Sequence, residues 1–361
     1  MASSSFDPKR KVPEGFGAAT QLVKRVKTPS ERNEIALRPA GSKGGPLIQT
    51  LPRTSGLQAP IMELTGHSGD IFAVRFDPTG QNIASGSMDR TVMLWRTYGE
   101  CENYAVLSGH KGAILDLNWS RDSLTIFTAS ADSLLASWDV DTKTRIRRYV
   151  GHEDIVNVMD ITRRGPEMIV SGSDDGTIGI WDPRQKSSVD YLETNFPVTA
   201  VAVGDAGNEL FTGGIDNDIK VWDLRKRAMV YLLRGHQDTI TSLSVSPDGQ
   251  SLLSNSMDNS VRIWDIRAFA PTNRLSHTFA EGVNVGIEKN LIRASWSPQG
   301  DKVAVGSGDR TVAIWDVESK KMLYKLPGHR GSVNDVRFSP TEPIIVSGST
   351  DRTILLGEIA K

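Results

Sequence analysis

The sequence predicts an all-β protein: a seven-bladed β-propeller closed by an N-terminal strand and preceded by a basic tail without structure of its own. Three observations predict it. The dipeptide Trp-Asp recurs at Trp138, Trp181, Trp222, Trp264 and Trp315, each six residues after an acidic position: Asp132, Asp175, Asp216, Asp258 and Asp309. The series extends back to Asp89 with Trp95 and forward to Asp351 with Gly357, and successive Asp positions lie 43, 43, 41, 42, 51 and 42 residues apart. That period suits one four-stranded blade per unit and no helical array. A Gly-His pair opens five of the units, at His67, His110, His152, His236 and His329. Between these marks, short apolar runs alternate with turns rich in Asp, Pro and Gly, residues that accept the dihedrals of tight turns.

Unit one shows the order of elements. Ile71 to Phe76 reads as a strand, Asp77-Pro78-Thr79-Gly80 as a hairpin turn, and Asn82 to Gly86 as a second strand. After the turn Met88-Asp89-Arg90 come a third strand, Thr91 to Trp95, and a fourth, Tyr104 to Leu107. Equivalent fourth strands stand at Ile146 to Val150, Val230 to Leu233 and Met322 to Leu326. Unit seven has sequence for three strands only. Ile61 to Leu64 precedes Gly66-His67 as a fourth strand does, so it is the expected donor, and closing the ring with it covers two sheet edges. The expected division is a tail over 1–57 and a propeller over 58–361.

The tail is rich in Pro, Gly, Ser and charge without periodicity, and cannot bury enough apolar surface to order itself. Residues 1–59 hold ten Lys or Arg against four acidic residues, a balance of +6, while residues 60–361 carry −7. An acidic body argues against nucleic acid wrapping the propeller, since phosphate neutralisation needs clustered cations. Contact of the tail with RNA stays open. Two tail clusters, Lys9-Arg10-Lys11 and Lys24-Arg25-Val26-Lys27, are twelve residues apart, the spacing of a bipartite nuclear import signal. Cys101 is the only cysteine, so no disulfide framework can form. The apolar run of a secretory signal and any eighteen-residue apolar span are missing too, which points to an intracellular protein off the membrane.

Four units repeat a set that resembles catalytic machinery: His67, Ser85, Asp89 and Trp95; His110, Thr128, Asp132 and Trp138; His152, Ser171, Asp175 and Trp181; His236, Ser254, Asp258 and Trp264. Catalysis needs one site, whereas buried polar groups need partners in every blade. These sets are therefore expected to be structural hydrogen-bonded chains. No catalytic residue, metal set or cofactor fingerprint emerges. Units four, six and seven depart from the pattern, with Thr194-Asn195-Phe196 replacing Gly-His, Val305 replacing Ser or Thr, and Gly357 replacing Trp; they are expected to lose the chain. About nine extra residues fall within 280–290. Loops that depart from a rigid repeat are where binding is added. Glu281, Asn284, Glu288 and Lys289 are the candidate contacts there, with Met88, Asp174 and Met257 beside the turn Asp positions on the same face.

The spacing of Gly-His and Trp-Asp resembles the WD-repeat family over about 300 positions. Stretches that reach beyond the motif residues, such as Gly213 to Arg225, Trp264 to Pro271 and Leu356 to Ile359, are similar to the spliceosomal branch of that family, the WD-repeat subunits of the U5 small nuclear ribonucleoprotein. The resemblance implies a nuclear, non-enzymatic scaffold in pre-mRNA splicing, docked on other spliceosomal proteins and chiefly on the largest U5 protein, with no small-molecule substrate, no membrane and no homo-oligomer. A substrate receptor of a ubiquitin ligase or another nuclear adaptor is the alternative. A ligase receptor commonly carries a helical segment that residues 1–57 do not supply, and a G-protein β subunit would need an N-terminal heptad helix.

Overall fold

The computed structural model describes residues 53, 55–286 and 288–359. Both basic clusters of the tail lie outside them. The described residues form seven antiparallel four-stranded sheets, six of them built from consecutive strands. The seventh joins Val333–Phe338, Ile344–Ser349 and Thr353–Glu358 to Ile61–Thr65. Ring closure is therefore as expected, with Ile61 opposite Gly357 and Thr65 opposite Thr353. Attachment begins earlier than residue 58. Leu57 is buried, the Ser55 N–H donates to Glu358 (2.9 Å), and the Arg53 Nε donates to the same carboxylate (3.0 Å).

The turn Asp has a conformational job in six of the seven blades, Asp216 of blade four pairing with Lys220 instead. The residue after the turn Asp has positive φ in all seven blades: Arg90, Ser133, Gly176, Asn217, Asn259, Arg310 and Arg352. Left-handed backbone is costly for most of these side chains, and the carboxylate compensates by capping the turn: Asp89 Oδ1 accepts the Thr91 N–H at 3.0 Å, and Asp175 Oδ1 that of Thr177 at 2.8 Å.

The tryptophans carry a second regularity. Six blades shift register between the third and fourth strands at the Trp, from Leu94/Trp95 to Ile314/Trp315. The residue left unpaired by the shift is Ile146, Val189, Val230 or Leu323 in four of these blades, and each is exposed. A bulge on an outermost strand twists it away from flat edge-to-edge pairing, so these exposed apolar residues belong to edge protection. Blade seven has Gly357 instead of Trp and its outer pair runs without a shift. The N-terminal strand thus meets a regular edge.

Side chains of the innermost strands tie blade to blade. The Asn157 amide donates to Val198 O (3.2 Å), Thr199 to Ile240 O, Thr241 to Ile292 O (2.8 Å) and Asn334 to Ile71 O (2.7 Å). Blades one and two have apolar Phe72 and Leu115 at that position. There Arg293 reaches across the axis from blade six, donating to Leu115 O at 2.8 Å and pairing with Asp116.

Candidate functional site: the loop face and the axis of the propeller

All four expected polar chains are present. In blade three the Trp181 indole N–H donates to Ser171 Oγ (2.8 Å), His152 Nε2 lies 2.7 Å from that hydroxyl, and His152 Nδ1 lies 2.9 Å from Asp175 Oδ2. Corresponding contacts join Trp95, Ser85, His67 and Asp89; Trp138, Thr128, His110 and Asp132; and Trp264, Ser254, His236 and Asp258, at 2.7–3.1 Å. The donors run consistently. Indole gives to hydroxyl, hydroxyl to Nε2, and Nδ1–H to carboxylate, so a neutral imidazole satisfies the chain. Ser85, Ser171 and Ser254 are fully buried, so none of the three hydroxyls is presented to solvent.

The expected loss in the irregular blades needs correction. Blade seven keeps most of the chain, with His329 Nδ1 3.0 Å from Asp351 and Nε2 2.8 Å from Ser347. Only the indole is missing, because the hydroxyl and carboxylate of that blade are unchanged. Blade four keeps Trp222 on Thr212 (2.9 Å), and Lys220 takes the place of His, pairing with Asp216 (2.6 Å) and donating to Thr194 O (3.1 Å). Blade six does lose it: the Trp315 ring packs against Phe279 at 5.3 Å, and Asp309 turns to Lys325 (2.6 Å).

Burial lowers the imidazoles of His67, His152, His236 and His329 below the ordinary value of 6.5, outweighing the Asp contacts that would raise them. Burial alone would raise the carboxyls of Asp89, Asp132, Asp175, Asp258 and Asp351, but their hydrogen bonds prevail and hold them below the usual carboxylate range. Both shifts act in the same direction on stability. The unfolded chain binds protons more readily, so stability is complete above the unfolded histidine value and is lost as pH falls through it toward the folded values. The melting temperature is expected to rise between about pH 5 and pH 7.5 and to level off above. A melt that is highest at pH 5 would contradict this assignment of protons.

The 280–290 segment lies on the face expected for it. The Val285 N–H donates to Asn259 Oδ1 (2.8 Å) in a blade-five turn, and the Gly308 N–H to Asn284 O (2.5 Å) in a blade-six turn. It is not the loose insertion that its length suggests. Val283 and Val285 are buried, and the Asn284 N–H donates to Ser307 Oγ at 3.0 Å. Glu281, Glu288 and Lys289 are exposed. Among the turn candidates Met88 is 57% exposed, Met257 is half-buried, and Asp174 accepts from the Asn157 amide at 2.6 Å. Two apolar residues that sequence reading missed, Phe196 and Ile215, are exposed in blade four on the same face. The missing Gly-His was the signal for Phe196, and the place before the turn Asp216, equivalent to that of Met88, was the signal for Ile215. At the axis, Lys289, Asn290 and Leu291 join Phe72, Leu115 and Ile155 around an open cavity of about 300 Å³, with Arg293 also in its wall. Among the described residues no group of three or more His, Cys, Asp or Glu is placed to hold a metal.

Seven closed blades, buried polar chains and one elaborated loop face define a WD-repeat propeller. The family model for the WD domain, G-beta repeat, matches all seven units, at 58–96, 101–139, 143–182, 187–223, 227–265, 288–316 and 320–356. The U5 small nuclear ribonucleoprotein 40 kDa protein of Dictyostelium discoideum is 50% identical, over 92% of this chain and 94% of the relative. Its human counterpart is 46% identical over 91% and 94%. Pre-mRNA-splicing factor cwf17 of Schizosaccharomyces pombe is 48% identical over 86% and 90%. The chain belongs to the WD-repeat family and, within it, to the family of the U5 small nuclear ribonucleoprotein 40 kDa proteins.

Proposed function

We propose that the protein is a non-enzymatic interaction scaffold of the U5 small nuclear ribonucleoprotein, acting in pre-mRNA splicing in the nucleus. One observation carries this reading: identity of 46–50% spans more than nine-tenths of both chains in relatives named for that particle from a slime mould and from human. The buried state of every Ser in the polar chains supports the non-enzymatic part. Mass spectrometry of material co-purified at moderate salt tests it: splicing proteins support the reading, and ubiquitin-ligase subunits in their place overturn it.

Docking on spliceosomal proteins, chiefly the largest U5 protein, uses the face that carries the 280–290 segment. Replacing that whole segment would remove buried Val283 and Val285 and so disturb the fold. Charge reversal at the exposed positions, Glu281→Arg, Glu288→Arg and Lys289→Glu together, is expected to cut recovery of the partner about tenfold, since reversed charges repel across an interface. The melt should stay within about 2 °C, as exposed substitutions change stability little. Undiminished recovery places the interface elsewhere. Nuclear entry rests on Lys9, Arg10, Lys11, Lys24, Arg25 and Lys27. Changing all six to Ser is expected to shift a fluorescent fusion toward the cytoplasm in cells where assembly is blocked; a fusion that stays nuclear refutes their role.

A further inference from the structure

Below Arg293 the innermost strands enclose a second axial chamber, of about 60 Å³, bounded by Arg75, Asp116, Asp160, Arg163, Arg293 and Arg337 among others. Two guanidinium straps cross the axis at this chamber. Arg293 spans from blade six to blade two, as described, and Arg163 spans from blade three to blade five, donating to Val245 O (2.7 Å) and Ser246 O (2.9 Å). Both straps are occupied by protein acceptors.

Arg75 and Arg337, neighbours on blades one and seven, have ion-pair partners but are not fully satisfied. Arg75 Nη2 stands 3.6 Å from Asp116 Oδ1, and Arg337 Nε stands 3.0 Å from Asp335 Oδ1 but off the hydrogen-bonding direction. The Nε of each is buried without a hydrogen-bond acceptor. The carboxylates are held in place by backbone. Asp116 accepts from Leu117 N (2.8 Å) and Met159 N (2.9 Å), and Asp335 from Val336 N and Val74 N (both 3.0 Å). Asp160 likewise accepts from Ile161 N (2.9 Å) and Val203 N (2.8 Å). Four guanidinium groups therefore share three carboxylates already engaged elsewhere. Burial first, then the nearby charge of Arg75, pulls Arg337 down to about 10.

We propose that this chamber binds one small tetrahedral oxyanion of the phosphate or sulfate class, held by the open donors of Arg75 and Arg337. Guanidinium forks match such oxygens in geometry and charge. The size agrees, since a water occupies roughly 10–15 Å³ of this kind of space and the chamber takes about five heavy atoms. The anion joins the innermost strands of blades one and seven and neutralises the excess charge there.

The test uses the full chain, with inorganic phosphate titrated against chloride at matched ionic strength. A saturable rise in melting temperature and one-to-one binding by calorimetry are expected with phosphate. The pair Arg75→Gln and Arg337→Gln is expected to weaken binding by about tenfold or more, because charge-assisted donors are lost. Should that variant not fold, Arg75→Lys, which keeps the charge and loses the fork, is expected to weaken phosphate measurably. Phosphate acting no differently from chloride overturns the site, as does an unchanged affinity in the variants. A phosphoserine peptide binding as well as the free ion overturns the choice of ligand, since an ester would then be the occupant.

Discussion

A chain that begins at Gly66 is expected to melt about 10 °C or more below one that begins at Arg53. The strand Ile61–Thr65 pairs along its whole length with Thr353–Glu358, and Glu358 N donates to Pro60 O at 2.9 Å. Leu64 packs in a cluster with Ile71, Trp95, Ile344 and Val346 that bridges blades one and seven. Loss of one buried Leu costs about 2–5 kcal/mol, and each ladder hydrogen bond adds about 1 kcal/mol. Together these exceed about 5 kcal/mol, and a domain of this size shifts by about 2 °C for each kcal/mol. Starting at Gly66 retains His67, so the blade-one chain is not disturbed. Calorimetry of the two chains decides it, and coincident melts would show that closure does not depend on this strand.

Trp181→Ala is expected to destabilise by about 3–5 kcal/mol, the range for truncating a buried large aromatic. The indole is completely buried and meets Tyr149 and Tyr191 edge-on at 6.0 and 5.9 Å. Its removal also leaves the Ser171 hydroxyl without its donor. His152→Ala is expected to cost less, about 1–3 kcal/mol, because it orphans polar groups while removing a smaller side chain. Denaturant unfolding of both variants checks the order. If His152→Ala proved the costlier, the chain rather than the indole would hold the blade, and a Trp181→Ala cost below about 1 kcal/mol would remove packing as the reason.

Blade number and the four regular polar chains were legible because each repeats, and repetition separates a structural device from chance; ring closure was legible because unit seven lacks a fourth strand and Ile61 to Leu64 stands where one belongs. Partial chains were misjudged for the opposite reason. A blade lacking one motif residue reads as lacking the set, yet His329, Ser347 and Asp351 come together without an indole because backbone geometry, not the tryptophan, brings their strands into register. Length alone made the 280–290 segment look loose. Val283 and Val285 alternate as strand residues would, but nothing in the sequence says that Val283 packs with Val261, Phe279 and Ala313 or that the backbone is tied to the turns at Asn259 and Gly308.

The period of Asp and Trp, by itself, determined seven blades, the donor of the last strand and the partners of each regular histidine, since all of these are set by spacing within one repeat or between adjacent ones. The register shift at each Trp, the apolar residues it pushes outward, and the meeting of Arg293 with Asp116 were decided by tertiary structure alone. Arg293 and Asp116 stand 177 residues apart, on blades that face each other only once the ring has closed. No local pattern encodes that contact, because its geometry is a property of the closed ring.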